Sequence, residues 1–256
     1  RTSFCRLFLT ALLFAPLSAL HAADASKPSS KPNIILVMPD DTGYGDYACL
    51  GNPVTHTPVV DAFKKQSLAF TQFHVSPACS PTRSALLSGR YASRFDNLVA
   101  FDARAFPAGT TTLPLALQAA GYSTALIGKW HLGFQERGYD QPMPGGPADR
   151  GFDRFFGFRA STDIPPYFYL EGDRAVVPPT ATIAGSPAHP ELGYSPIQGR
   201  FWRGGGIAPG LELKDVLPRF TAEVVAEITT HARQQPAQPL FLYYAPTGPH
   251  TPWLPS

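Results

Sequence analysis

The sequence predicts an α/β fold in which a mostly parallel sheet is sandwiched by helices, and three observations carry that prediction. Strand-length segments rich in apolar residues recur at residues 33–38, 122–128 and 239–245, the first of them a continuous apolar run. A run without polar alternation suits a strand covered on both faces, as parallel strands are. Segments with helix start and stop signals fall between these runs, the alternation that builds a helix-covered sheet. The chain has 256 residues and 44% hydrophobic content, enough for one large core.

The first run, Asn33-Ile34-Ile35-Leu36-Val37-Met38, is expected to be a strand buried on both faces. Thr57 and Pro58 then provide an N-cap and a first-turn proline for a helix through about residue 66. Residues 68–75 read as a second strand. A further helix should begin near Cys79-Ser80-Pro81 and end near Gly89. Residues 112–120 form a short apolar helix closed by Gly121, ahead of the strand at 122–128. Residues 138–218 are rich in Gly and Pro; they read as long surface loops and short strands shaping an entrance, with an excursion around 167–177. Phe220, Val224, Val225 and Ile228 mark one face of a helix over 219–235, and 239–245 is the last buried strand.

The N-terminus carries a different signal. Arg1 and Arg6 precede the apolar run at residues 7–20, and Ala22-Ala23-Asp24-Ala25 follow. This is the pattern of a secretory signal peptide over residues 1–25, and its apolar run is too short to span a bilayer stably. It implies an exported protein, periplasmic or secreted. Residues 26–32 read as a Ser/Lys/Pro linker. Loss of the signal segment removes Cys5 and leaves Cys49 and Cys79, too few for a disulfide scaffold, although a single Cys49–Cys79 bridge is one use of the pair. A formal net charge of +2 with scattered basic residues argues against a nucleic-acid footprint or a polybasic membrane patch.

Sites in open α/β sheets form beyond the carboxyl ends of the strands, and four such positions carry useful chemistry. Asp40 and Asp41 follow the first strand; adjacent carboxylates repel, and a hard divalent cation that accepts oxygen ligands relieves the repulsion. Cys79 stands where a helix begins. Pro81 suits the first turn, the free amides there favour an anion, and Arg83, one turn on, falls on the same face as Cys79. Lys129 and His131 follow the strand at 122–128; in an extended segment they share a face while Trp130 packs the other way, supplying a fixed cation and a proton carrier. Pro249-His250 follows the last strand. Taken singly, each has a plainer reading: a solvated Asp-Asp turn, a helix-start cysteine, a surface arginine, a Lys and His at a strand end. His56, His74, His189 and His231 lack such a context and read as turn, strand or surface residues.

Together and in this order, the four segments resemble the sulfatase family of the alkaline phosphatase superfamily, in its formylglycine-dependent, arylsulfatase-like form. The matching text is Pro32-Asn33-Ile34 running into Asp40-Asp41-Thr42-Gly43-Tyr44-Gly45-Asp46, then Cys79-Ser80-Pro81-Thr82-Arg83 through Gly89-Arg90, then Gly128-Lys129-Trp130-His131-Leu132-Gly133. Gly151-Phe152-Asp153, Phe155-Phe156-Gly157 and Pro249-His250 continue it. In that family Cys-x-Pro-x-Arg marks the cysteine that a maturing enzyme oxidises to formylglycine.

The resemblance implies an alkaline phosphatase-like sheet and hydrolysis of a sulfate ester. It implies that Asp40, Asp41 and the modified Cys79 hold a metal, calcium in preference to magnesium. The aldehyde hydrates to a diol, one hydroxyl attacks sulfur and expels the alcohol, and His131 takes the proton of the second hydroxyl so that sulfate leaves. Arg83 orients the diol, Lys129 bridges nucleophile and sulfate, His250 binds a sulfate oxygen, and Ser161 is a looser match to a substrate contact. A phosphodiesterase or phosphonate monoester hydrolase of the same superfamily is the alternative enzyme, and a non-catalytic relative lacking maturation the alternative binding protein; the segments at 128–133 and 249–250 favour the sulfatase. Family members continue to an Asp-Asn pair and a further lysine, neither assignable here, so residues 33–256 read as the N-terminal portion of a truncated catalytic domain. Purified residues 26–256 are therefore expected to be inactive or poorly folded, and measurable sulfate ester hydrolysis by that fragment would refute the reading.

Overall fold

Two residues that flank a peptide plane in a strand point to opposite faces, and the central strands of this chain are apolar on both. The computed structural model describes residues 31–255 apart from 96–105, 108, 194 and 196. The signal peptide expected at 1–25 and most of the linker at 26–32 lie outside the described residues. In chain order the main elements are β1 (Ile34–Val37), α1 (Pro58–Lys64), α2 (Cys79–Ser88), α3 (Leu113–Ala119), β2 (Ser123–Lys129) and β3 (Arg154–Phe158). There follow β4 (Leu170–Glu171), β5 (Arg174–Ala175), β6 (Ala181–Ile183), β7 (Gly205–Ile207), α4 (Val216–Gln234) and β8 (Leu240–Ala245).

The main sheet has the order β1-β8-β2-β3-β4-β5. Its first four strands run parallel, β4 and β5 add an antiparallel hairpin, and β6 and β7 pair apart from it. Side-chain alternation divides the core in two. Leu126, Phe155, Phe241 and Tyr243 pack with Leu87 of α2 and with Leu113 and Leu117 of α3. Ala125, Ile127, Phe156, Phe158, Leu240 and Leu242 point the other way, onto Val216, Phe220 and Val224 of α4. The sheet is therefore mixed but mostly parallel and helix-covered, as the apolar runs require.

Several expectations are corrected. β1 is an edge strand: Ile34 and Leu36 pack on the core, but Ile35 and Val37 are 50% and 53% exposed, so it is not buried on both faces. Residues 68–75 form no strand, and Leu68, Phe70, Phe73 and Val75 are exposed. A strand requires a hydrogen-bonded neighbour, and no described strand or bridge pairs with this segment. The Gly/Pro-rich region does hold short strands among its loops, but one of them, β3, is a buried parallel strand of the main sheet, and the excursion around 167–177 is the β4–β5 hairpin. On α4 the buried face is Val216, Phe220, Val224 and His231; Val225 is exposed. His231 is no surface residue, since its Nε2 lies 2.8 Å from Gln238 O, and His74 lies in no strand. Cys49 and Cys79 are both free, so the bridge between them is not formed.

Two tight points hold the strand ends in register. Thr124 N donates to Asp153 Oδ2 at 2.9 Å, tying β2 to the turn before β3. Gly128 has φ 119°, and a Cβ there would sit 2.0 Å from Ala245 O of β8. No L side chain fits that space, so β2 and β8 approach this closely only because residue 128 is glycine. Gly128→Ala is expected to destabilise the protein by about 2 kcal/mol or more, measured as a lower denaturant midpoint; an unchanged midpoint would show that the contact is not constraining.

Candidate active site

The parallel register carries the end of β1, the end of β2 and the loop after β8 to one edge of the sheet. Asp40 N donates to Gly248 O at 3.2 Å, and His250 N donates to Asp40 O at 3.1 Å, which seats His250 beside Asp40. Lys129 is the last residue of β2 and fully buried. Its Nζ donates to Asp40 Oδ2. Arg83, projecting from α2, is 1% exposed; its Nη2 lies 3.5 Å from Asp40 Oδ1, and its Nη1 donates to Lys129 O at 2.9 Å and to Tyr243 Oη at 3.4 Å. Two buried cations thus face one buried carboxylate, and the excess positive charge favours an anion at their outer side.

Burial alone would push the Asp40 carboxyl up, but Lys129, Arg83 and His250 outweigh it and hold its pKa at about 2, against 3.8 for an ordinary aspartate. His131 is pushed the other way: burial, with the nearby Lys129 and Arg83 cations, lowers its pKa to about 2, so the imidazole is neutral and able to accept a proton. The segment after β2 is not extended, as the shared-face reading assumed. His131 has φ 59°, a left-handed conformation costly for a residue with a Cβ. Ser80 Oγ donates to His131 O at 2.8 Å and His131 N to Arg159 O at 3.0 Å, which hold the turn and bring His131 to the site by a different route.

Cys79 opens α2, and Gly89 closes the helix in the left-handed conformation at φ 66°. Burial raises the Cys79 thiol pKa, with the Lys129 cation only partly offsetting it. A thiol held neutral is a poor nucleophile in its own right. The side chains of Cys79, His131, Ser161 and His250 line one cavity of about 850 Å³. Lys129, Arg83 and Asp40 are buried, are not among the lining residues, and lie close enough to act on the Cys79 thiol. Ser161 Oγ is buried and has no hydrogen-bond partner among the described residues.

Donor atoms of Asp40, Cys79 and His250 lie within 4.8 Å of one another. Asp41, expected beside Asp40 as a ligand, is in the left-handed region at φ 62° and its side chain is 60% exposed, with Oδ2 at 3.6 Å from His250 Nε2. Asp41 is thus outside the group of donor atoms; the Asp40 carboxylate, with Asp41 next to it in sequence, fits a hard divalent cation if residue 79 presents oxygen in place of sulfur. The residues that sequence reasoning missed are Tyr243, which braces Arg83, and Asp163 and Arg203 in the cavity wall. Asp163 and Arg203 fall in segments without periodicity, where the only local signal was the proximity of Asp163 to Ser161.

The sulfatase family model matches residues 32–256. The chain belongs to the sulfatase family. It is 33% identical to human arylsulfatase A over 93% of this chain and 45% of that protein. It is 32% identical to rat N-acetylgalactosamine-6-sulfatase over 94% of this chain and 44% of that one. Both relatives are sulfuric ester hydrolases, and this sulfatase chain spans about half their length. Among solved structures, one from Bacteroides thetaiotaomicron described with the metabolism of multiple glycosaminoglycans superposes with TM-score 0.74 at 26% identity, covering 89% of this chain and 53% of that one. A phosphonate monoester hydrolase of Agrobacterium radiobacter shares the fold, with TM-score 0.51 at 21% identity over 86% of this chain and 41% of its own.

The buried charges generate a stability test. Asp40→Asn leaves Lys129 and Arg83 without their anion and is expected to cost about 3–5 kcal/mol, whereas Asp40→Asn combined with Lys129→Met should recover part of that loss in urea melts; simple additivity of the two changes would contradict the pairing. Because the Asp40 pKa is depressed on folding, its contribution is fully present above 3.8 and is lost as pH falls toward about 2. The acid limb of the wild-type stability profile should therefore be steeper than that of Asp40→Asn.

Proposed function

We propose that the full protein hydrolyses sulfate esters, with residue 79 acting as formylglycine rather than cysteine. The observation that carries this reading is the position of Cys79, whose thiol pKa is raised by burial, in a cavity close to Lys129 and Arg83, which among the described residues pair with Asp40 alone. A sulfate group entering there meets the positive charge that the cluster leaves uncompensated.

Residue 79, as the hydrated aldehyde, supplies the nucleophilic oxygen. Arg83 is locked by Lys129 O, Tyr243 and Asp40, so it holds the hydrate in one orientation, and Lys129 stabilises negative charge shared between nucleophile and sulfate. As the new S–O bond forms, the ester S–O bond breaks and the departing alcohol takes a proton, for which His250 is placed at the cavity wall. His131, kept neutral by burial and by its cationic neighbours, then accepts the proton of the second hydroxyl. The C–O bond to sulfate breaks, sulfate leaves, the aldehyde is restored, and water rehydrates it. Ser161 Oγ, buried without a partner among the described residues, offers the sulfate a hydrogen bond. Asp40 and Asp41 would hold a divalent cation, calcium before magnesium; when bound, it favours ionisation of the nucleophilic hydroxyl. Maturation requires a formylglycine-generating enzyme, and we assign the protein to an exported compartment from the signal at residues 1–25. No helix among the described residues is long and apolar enough to cross a membrane.

Two measurements test this reading. Cys79→Ala should lower aryl sulfate turnover by about a thousandfold or more, while phosphate mono- and diesters should be poorer substrates of the wild type throughout. A preference for phosphate diesters would transfer the assignment to the phosphoryl branch. His131→Ala should release about one alcohol per active site in a burst and then stall with sulfate bound to residue 79; steady turnover without a burst would remove His131 from the second step.

A further inference from the structure

The pattern Cys-x-Pro-x-Arg leaves residue 80 open, and the proposed reaction gives Ser80 no task. Ser80 is nevertheless 4% exposed, in the first turn of α2 and immediately after residue 79. A serine in a first turn ordinarily offers its hydroxyl to water or to the free amides of its own helix. Here Oγ instead donates to His131 O at 2.8 Å, across 51 residues of sequence. Arg83, three residues on and on the same helix face, donates through Nη1 to Lys129 O at 2.9 Å. Two side chains of the helix that carries residue 79 thus hold the backbone at 129 and 131, the positions of the cation and of the base.

The contact at His131 falls where the backbone has a choice. Trp130 and Leu132, on either side, are buried in the core, and the Trp130 indole N–H donates to Gly133 O at 3.0 Å, so the turn cannot slide along the chain. What stays open is rotation of the peptide units that flank His131, whose φ of 59° lies in the left-handed region. That conformation costs about 1 kcal/mol or more for a residue with a Cβ, and it persists only where its neighbours hold it. His131 N donates to Arg159 O at 3.0 Å, which fixes the unit before it, and Ser80 fixes the unit after it. A change in φ or ψ there re-aims the Cα–Cβ bond, and the imidazole moves with it.

We propose that Ser80 is a positioning residue for His131, setting the base against the hydrate at residue 79, an inference that rests on the sulfate ester reading above. Ser80 adjoins residue 79 in the chain and holds residue 131 by its carbonyl, so a single side chain fixes the base relative to the nucleophile. In the second step the proton passes from the free hydroxyl to the His131 imidazole, and the O–H electron pair becomes the second bond of the aldehyde C=O. The C–O bond to sulfate breaks and its electron pair leaves with sulfate. That transfer needs His131 in place, whereas attack on sulfur and departure of the alcohol do not use it. Ser80 therefore acts on sulfate release and not on ester cleavage.

The test uses the full-length protein matured at residue 79, its formylglycine content measured by peptide mass, with para-nitrophenyl sulfate as the probe. Ser80→Ala is expected to lower kcat about tenfold while kcat/KM stays within about twofold of wild type, because KM falls with kcat. A burst approaching about one nitrophenol per formylglycine should precede the slow steady state, a milder form of the behaviour expected of His131→Ala. An unchanged kcat, or a proportional fall in kcat and kcat/KM without a burst, overturns the assignment; either outcome leaves sulfate ester hydrolysis standing. Hydrogen exchange of the full-length Cys79→Ala protein gives a readout without catalysis. Adding Ser80→Ala to it should speed exchange of the His131 amide about tenfold relative to the Leu126 amide in the middle of β2. An equal change at both amides, or none, overturns the positioning role. If the matured wild type hydrolyses no sulfate ester, the hydrolytic reading fails, and the exchange result alone decides whether Ser80 holds His131.

Discussion

The buried contact of Asp40 with Lys129 and Arg83 is the interaction on which the rest of the site depends. Charges this deep are tolerable only when paired and hydrogen-bonded, so the three side chains fix one another. Lys129 ends β2, Asp40 follows β1, and β8 lies between them in the sheet. The ion pair therefore reaches across the end of β8, and it can do so because Gly128 lets β2 approach Ala245 without a side chain between them. Arg83 joins from α2, which brings the start of that helix, and with it Cys79, to the same place. Strand register, one glycine and one helix thus converge on a cluster with more positive than negative charge.

That excess charge separates the jobs of the surrounding residues. Together with burial, the larger cause, it keeps His131 neutral and able to accept a proton, and it outweighs burial to keep Asp40 ionised. It does not make Cys79 a thiolate, because burial of the sulfur outweighs the help from Lys129. A cysteine held neutral in front of a cationic cluster makes little sense as a nucleophile but good sense as the precursor of one. The strained backbone lies at the same edge: among the described residues, the two non-glycine residues with positive φ are Asp41 and His131. Such conformations persist where neighbours over-determine them, and at His131 the Ser80 and Arg159 hydrogen bonds do so.

The core strands, the helix from Cys79 to Gly89 and the four chemistry-bearing segments were legible in the sequence because each rests on local pattern: an apolar run, a turn residue, a polar group just past a strand. Residues 68–75 show where local pattern fails, since alternating apolar residues favour a strand but only a neighbouring strand can make one. Ile35 and Val37 fail for a related reason: their composition suits two-sided burial, and their position at the sheet edge denies it. β3 was hidden because glycine and proline around it obscured a five-residue strand whose burial is decided by β2. His131 reached the site as expected, but by a left-handed turn that no spacing rule reveals. Asp163 and Arg203 are brought together by loop-to-loop hydrogen bonds across tens of residues of sequence, which no single-segment pattern encodes.

These features support the role proposed for residue 79, and its chemical state tests that role most directly. The full-length protein, purified from a host that contains a formylglycine-generating enzyme, should yield a peptide spanning residue 79 whose mass shows sulfur lost and an aldehyde or its hydrate in its place. An intact thiol at residue 79, or a disulfide to Cys49, would contradict the central claim.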